Sequence, residues 1–326
     1  MSPPPVSQPS VAVVAPAIVG DVEALAVRRG VAAIASDISR LVRPRIAVMV
    51  LATVCAAAWI TAGRDRLPAD RLAWLLVGTA LVAASSSIAN QILERDTDRR
   101  MPRTANRPLA AGRLGVSAAW WAAGVSLAVG LIVMTRACGW MPAACAVATW
   151  LLYIVAYTPL KRVSPLNTAV GAVAGALPVA IGWSAADGPA RLAAGDVGTA
   201  LAVASLGTVL YLWQFPHFMA IAWLYRRHYA AAGLRMLTVD DPTGLRAAGQ
   251  SLAAALAMIP VSLVLAVPSG SIRLFLAAAA SAIVYAVATI RFAIRRDEPS
   301  ARGLLLVSIA TLLALLTAAI ASTPFT

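Results

Sequence analysis

The chemistry in this chain is concentrated in one short stretch, Asn90-Gln-Ile-Leu-Glu94-Arg-Asp96-Thr-Asp98, which holds three of the fourteen acidic residues within five positions. If the preceding helix continues, Asn90, Glu94 and Asp98 fall at i, i+4 and i+8 on one face, and Asp96 points elsewhere. Two carboxylates and an amide oxygen on one stripe form a hard-oxygen site. Carboxylates that close repel and raise each other's pKa, and a divalent cation relieves the repulsion. Mg²⁺ binds through one or two carboxylates and leaves positions for phosphate oxygens. The plainer alternative is a solvated helix end paired with arginines at i+4 spacing. The next stretch, Arg103-Thr-Ala-Asn106-Arg107-Pro-Leu-Ala-Ala-Gly-Arg113, is basic. Carboxylate-held Mg²⁺ together with guanidinium groups is suited to a diphosphate. At the mouth of an apolar bundle, that diphosphate would be the head of a lipid.

Other polar residues stand out because so few are available. Lys161 is the single lysine among 27 Lys+Arg, and Arg162 follows it. Topology alone could place both at a helix end; anion binding is the other reading. His217 is one of only two histidines and follows Pro216 in an apolar run. A polar ring there is costly and faces a bundle interior. It is either a hydrogen-bonded packing residue or a contact to a ligand. Trp213 lies one turn before His217, so on the ligand reading Trp213, Gln214 and Phe218 would line the same cavity as His217. Cys55, Cys138 and Cys145 lie in apolar runs without metal-type spacing and read as small buried hydrophobes.

The elements that position these groups are set by composition. Of the 326 residues, 60% are hydrophobic and 13% charged, against about 45–50% and about 25% in an average soluble domain. Such a chain cannot coat a water-facing surface, which excludes a soluble enzyme or nucleic-acid binder despite the formal charge of +13. Apolar runs of about 20 residues predict membrane-spanning helices. Nine are expected, over 45–63, 71–92, 114–135, 138–157, 166–184, 199–222, 249–267, 273–292 and 303–321. The fifth, with Gly171, Gly175 and Pro178, and the sixth, interrupted by Pro216, are expected to be irregular. Twenty-one of the 27 basic residues fall on one side of this alternation. The positive-inside rule puts that side in the cytoplasm, with the N-terminus inside and the C-terminus outside. Residues 1–20 read as a disordered tail and 21–42 as an amphipathic helix at the cytoplasmic surface. Residues 43–326 form one all-α polytopic domain.

Several motifs together resemble one family. The Asn90 to Asp98 stretch followed by Arg103-Thr-x-Asn106-Arg107-Pro108-Leu109 is similar to the first Asp-rich motif of the UbiA superfamily of intramembrane prenyltransferases, and most similar to its heme O synthases. Arg43-Pro-Arg45, Tyr157-Thr-Pro-Leu-Lys161-Arg162, Asn167 with Gly171 to Trp183, Trp213-Gln214-Phe-Pro216-His217-Phe218 and Ala232-Gly233-x-x-Met236-Leu237 extend the likeness over about residues 40–320. The resemblance implies a nine-helix bundle that transfers a farnesyl group from farnesyl diphosphate to a vinyl group of heme B. It implies Mg²⁺ on Asn90, Glu94 and Asp98, with Lys161 as a further catalytic group. Arg43, Arg45, Arg103, Asn106, Arg107, Arg162, Arg226 and Arg227 are implied in substrate binding, with Tyr157, Trp213, Gln214, His217, His228 and Tyr229. His217 would meet the porphyrin through its iron or its propionates. The chain departs from the family at Tyr225-Arg226-Arg227-His228-Tyr229, where an acidic residue is usual before the tyrosine. Ala110 and Thr238 stand where proline is common. Further implied partners are the lipid bilayer of the inner (plasma) membrane and a downstream heme A synthase or terminal-oxidase assembly, with no nucleic acid. The alternatives are a quinone-type acceptor, or a transporter or heme-binding protein without chemistry.

Overall fold

The computed structural model describes residues 30–65 and 67–322. The expected tail, the part of the interfacial helix over 21–29 and Arg66 lie outside the described residues. The chain divides into two units, Met1–Ser39 and Arg40–Thr326. The described part of the first is the opening of a helix that runs from Val31 to Val42. No strand occurs among the described residues.

Among its described residues the second unit contains nine helices long and apolar enough to cross a membrane: Pro44–Ala62, Ala69–Leu93, Val116–Cys138, Trp140–Leu160, Asn167–Ala185, Val197–Leu224, Leu245–Val264, Ile272–Arg295 and Glu298–Ser322. They match the nine expected spans one for one, with ends differing by a few residues. Their outer faces are apolar, as a lipid surface requires. Trp121 is 74% exposed and Leu306 70%. Trp74 and Trp140 sit at the expected outer ends of their spans and Trp120 and Trp121 at the inner end, the belt position that suits an amphipathic ring.

The first span is central. It packs against the second span, the second half of the fifth, the sixth and the ninth. Gly182 on the fifth span makes this possible: a Cβ there would collide with the Val54 carbonyl oxygen. Small residues allow such approach where lipid provides no hydrophobic drive between helices. Tyr285, Phe292, Leu206 and Met219 fill the core shared by the sixth, eighth and ninth spans.

Irregularity is placed differently from expectation. The fifth span is broken as expected, into Asn167–Ala176 and Pro178–Ala185. The sixth is one continuous helix through Pro216. A proline costs one ladder bond and a clash, but here it is buried inside the bundle and the helix continues on both sides of it. The fourth span, expected to be regular, winds as a π-helix over Leu152–Tyr157. Such stretches favour functional sites, and this one places Tyr153 and Tyr157.

Candidate active site

A cavity of about 540 Å³ opens among the first, second, fourth, fifth and sixth spans and the loops at their expected cytoplasmic ends. Its mouth is lined by Arg43, Glu94, Asp98, Arg103, Arg107 and Lys161. Its interior is lined by apolar groups such as Ile46, Val50, Val82 and Ile181, with Gln214, His217 and Phe218 on the wall formed by the sixth span.

The acidic stripe forms without a continuous helix. The second span ends at Leu93, and a short helix, Arg95–Arg99, follows. Glu94 sits between them, with ψ opened to 2°. The i+4 ladder nevertheless continues: the Glu94 N–H donates to the Asn90 carbonyl at 2.9 Å, and the Asp98 N–H to the Glu94 carbonyl at 2.7 Å. The three side chains therefore keep one side, as the spacing predicts.

Each carboxylate has a cation. Lys161 Nζ is 2.7 Å from Glu94 Oε1, and Arg107 Nη1 is 2.6 Å from Asp98 Oδ2 and 3.8 Å from Glu94 Oε2. Burial works against charge at Glu94, but the Lys161 ammonium, with Arg43 and Arg107, holds its carboxyl below the usual range. At Asp98, 1% exposed, burial outweighs Arg107 and pushes the pKa up. Burial, reinforced by the nearby Arg43 charge, also pulls Arg107 down against the pull of Asp98. At the 2.6 Å pair, burial is the largest influence on both partners, helped by Glu94 at Asp98 and by Arg43 at Arg107, as desolvation of a buried pair allows. Lys161 is driven up, with Glu94 and the tyrosines overcoming its own burial. It also lies 4.2 Å from the Tyr157 ring centroid.

Three buried atoms at the mouth lack partners: Asn90 Oδ1, Asp98 Oδ1 and Arg43 Nη2. Buried polar groups without partners are rare and costly. Two orphan acceptor oxygens on the carboxylate stripe fit a hard cation, and an orphan guanidinium N–H fits an anion. Asn90 lies one turn before Glu94 and is off the lining; its Nδ2 donates to Thr158 Oγ1 at 3.1 Å, which leaves Oδ1 free. Among the described residues there is no group of three His, Cys, Asp or Glu that could hold a metal, so a cation here would rest on two carboxylates, an amide and its ligand. Arg43 has a left-handed backbone, φ 52°, directly before Pro44. Non-glycine residues hold that conformation only when their surroundings enforce it.

The structure sorts the expected substrate-binding residues. Arg43, Arg103, Arg107, Tyr157, Gln214, His217 and Tyr229 line the cavity. Arg103 lies over the Tyr225 ring at 4.5 Å, with its Nη2 3.4 Å from the Tyr229 hydroxyl. Trp213 stands behind the wall, stacked on His217 with centroids 4.6 Å apart. Arg45 and Arg227 are exposed and off the lining. Asn106 is exposed and is held by Arg113 within its own loop at 2.8 Å. Arg162 caps the second span at the Leu93 carbonyl, 2.8 Å away. Arg226 folds back on the Trp223 carbonyl at 2.6 Å and over its ring at 4.4 Å. His228 packs beside Tyr225 with its Nδ1 buried and unpartnered. The basic segment after the sixth span thus keeps its charges off the lining and contributes Tyr229 to it.

Tyr153 was not expected at the site. Its ring is 5.3 Å from that of Tyr157, and both line the cavity. The signal was present: Tyr153, Tyr157 and Lys161 recur every four residues. The fifth span fits closely behind them. A Cβ on Gly171 would come within 2.6 Å of the Tyr157 ring, and one on Gly175 would collide with Gln214 Oε1. Gln214 is fixed by Nε2 donating to the Ala172 carbonyl at 2.9 Å.

A polytopic helical bundle with an acid- and base-lined mouth over an apolar cavity is the arrangement of an intramembrane prenyltransferase. Residues 50–312 match the model of the UbiA prenyltransferase family, and the chain belongs to that family. Curated relatives refine the likeness. The chain is 46% identical to a protoheme IX farnesyltransferase of Rhodopirellula baltica over 69% of this chain and 76% of the relative. It is 36% identical to one of Solibacter usitatus over 84% and 94%. Among solved structures, a digeranylgeranylglyceryl phosphate synthase shares the fold with TM-score 0.69 at 14% identity, covering 88% of this chain and 98% of that one. A UbiA homologue from Archaeoglobus fulgidus bound to GPP and Mg²⁺ has TM-score 0.63 at 16% identity, covering 87% and 99%.

Proposed function

We propose that this protein transfers a farnesyl group from farnesyl diphosphate to a vinyl group of heme B, giving heme O. The observation that carries this reading is one cavity that joins a diphosphate-type mouth at Glu94, Asp98, Arg107 and Lys161 to an apolar interior with His217 on its wall. The protoheme IX farnesyltransferases among its relatives support the choice of acceptor.

Asn90, Glu94 and Asp98 would hold Mg²⁺, which supplies charge neutralisation to the leaving diphosphate. The chain's own part is electrostatic. Lys161, Arg107, Arg103 and the unpaired Arg43 N–H take up the diphosphate oxygens as the C1–O bond of the farnesyl chain breaks. The bonding pair leaves with the diphosphate, and an allylic cation remains. Tyr153 and Tyr157 offer π faces beside Lys161, and the apolar lining keeps water from the cation. The terminal vinyl carbon of heme B attacks C1. Water captures the resulting cation next to the ring and loses a proton, leaving a hydroxyethylfarnesyl group. Positioning and preorganised charge do the catalysis.

The same reading places the protein in the inner (plasma) membrane with its N-terminus cytoplasmic and C-terminus outside. Residues 43–326 would then be the catalytic domain. Heme O would pass to a downstream heme A synthase or terminal-oxidase assembly. The deciding experiment is an assay in membranes with heme B, farnesyl diphosphate and Mg²⁺. Farnesylated heme is expected. Its absence, where a known relative works, would sink the reading, and prenylation of a quinone precursor instead would transfer the protein to the quinone branch.

A further inference from the structure

His217 lines the cavity from inside the sixth span. Its Nδ1 is 2.7 Å from Ser308 Oγ on the ninth span. That contact alone leaves the proton's position open. The other contact of Ser308 settles it. Oγ is 2.6 Å from the Leu305 carbonyl oxygen, which can only accept, and a hydroxyl has one proton. That proton goes to Leu305. Ser308 Oγ must then accept at His217, so Nδ1 carries the ring proton. In a neutral imidazole, Nε2 is left with a lone pair, and Nε2 has no hydrogen bond among the described residues.

The ring is also held in orientation. The Ser308 carbonyl accepts the Trp213 indole N–H at 2.7 Å. Trp213 stacks on His217 at an interplanar angle of 23°. The Tyr285 hydroxyl, from the eighth span, donates to the Trp213 carbonyl at 2.6 Å. Ser308 is fully buried. Through its hydroxyl and its carbonyl it grips both rings of the i, i+4 pair.

We propose that Ser308 is a positioning residue that fixes His217 as the Nδ1–H tautomer and presents the Nε2 lone pair to the acceptor in the cavity. This rests on the proposed heme acceptor, whose iron is the group such a lone pair would ligate. Partners that fix a ligating imidazole through its second nitrogen are worth about 10- to 100-fold in affinity or activity.

The chain has only two histidines, so ring-¹⁵N-histidine labelling with His228→Gln leaves one pair of signals. In substrate-free, detergent-solubilised full-length protein, Nδ1 is expected protonated and Nε2 bare. Ser308→Ala should release the preference and weaken heme B binding about 10- to 100-fold, with the Soret band altered. Ser308→Thr, which keeps the hydroxyl, should restore both. An Nε2–H tautomer in the parent chain, or an unchanged tautomer in a well-folded Ser308→Ala, would overturn the proposal. A fixed Nδ1–H tautomer that heme B leaves untouched would uphold the role of Ser308 in tautomer choice and count against heme as the acceptor.

Discussion

The Nζ of Lys161 lies 2.7 Å from Oε1 of Glu94, although 67 residues separate them in sequence. The end of the fourth span thereby locks onto the end of the second, and the chain's single lysine becomes part of the acidic site. Lys161→Met is expected to lower kcat for farnesyl transfer by about 10²- to 10³-fold, the usual cost of one preorganised charge-stabilising group. Steady-state assays in detergent check it; a near-normal kcat would leave Lys161 a structural tie only.

Asp98 and Glu94 should respond to pH in opposite senses. In chelated protein, the raised pKa of Asp98 means that its ionisation costs folded stability, a cost absent below the unfolded pKa and complete above the folded one. The lowered pKa of Glu94 contributes stability present above the unfolded value and lost as pH falls through the folded one. Asp98→Asn, which keeps an acceptor for Arg107, should therefore leave the metal-free Tm at neutral pH equal to or above that of the parent, while turnover is lost. Mg²⁺ at about 100 times its Kd should stabilise the parent by about 2.7 kcal/mol and the variant far less. Thermal melts with and without Mg²⁺ read both.

Arg103 and Arg227 provide a contrast between a cation on the cavity and one off it. Arg103→Ala should lose about tenfold or more in kcat/KM, since a charge-assisted hydrogen bond is worth about 1.5–3 kcal/mol. Arg227→Ala should stay within about 0.5 kcal/mol of the parent, as exposed substitutions do. Equal losses in the two would mean that the basic segment turns inward when substrate binds.

Gly175→Ala sets a methyl against Gln214 and should displace that amide from the Ala172 carbonyl. Overpacking of this kind costs about 1–3 kcal/mol. A lower Tm in detergent is expected, together with reduced activity because the same cavity wall moves. Adding Gln214→Ala should recover Tm.

Topology can be read with reporter fusions. A phosphatase active only outside the cytoplasm should work when joined at the C-terminus and fail when inserted between Arg99 and Arg113. The reverse pattern would invert the bundle.

The sequence alone determined the class and the count. Twenty apolar residues in a row have one stable form in lipid, the helix, so composition and length fixed nine spans, and the unequal split of arginines fixed the expected orientation. It also gave the acidic stripe, because i+4 spacing survives the small turn at Glu94. What it could not give depends on contacts between distant spans. Arg107, nine residues from Asp98, was within reach in the sequence; only packing of the first and fourth spans against the second brought the Arg43 and Lys161 charges to Glu94. Arg162, Asn106 and Arg226 looked equivalent to them and were instead taken up by nearby carbonyls or loop partners. Pro216 suggested a broken helix, yet the sixth span runs on through it, and the fourth span turns irregular at Leu152–Tyr157, just ahead of Pro159, whose missing N–H and i−4 clash disturb the helix there. Ser308 carried no signal at all, since one serine in an apolar helix is unremarkable until tertiary structure brings it to His217 and decides which ring nitrogen keeps the proton.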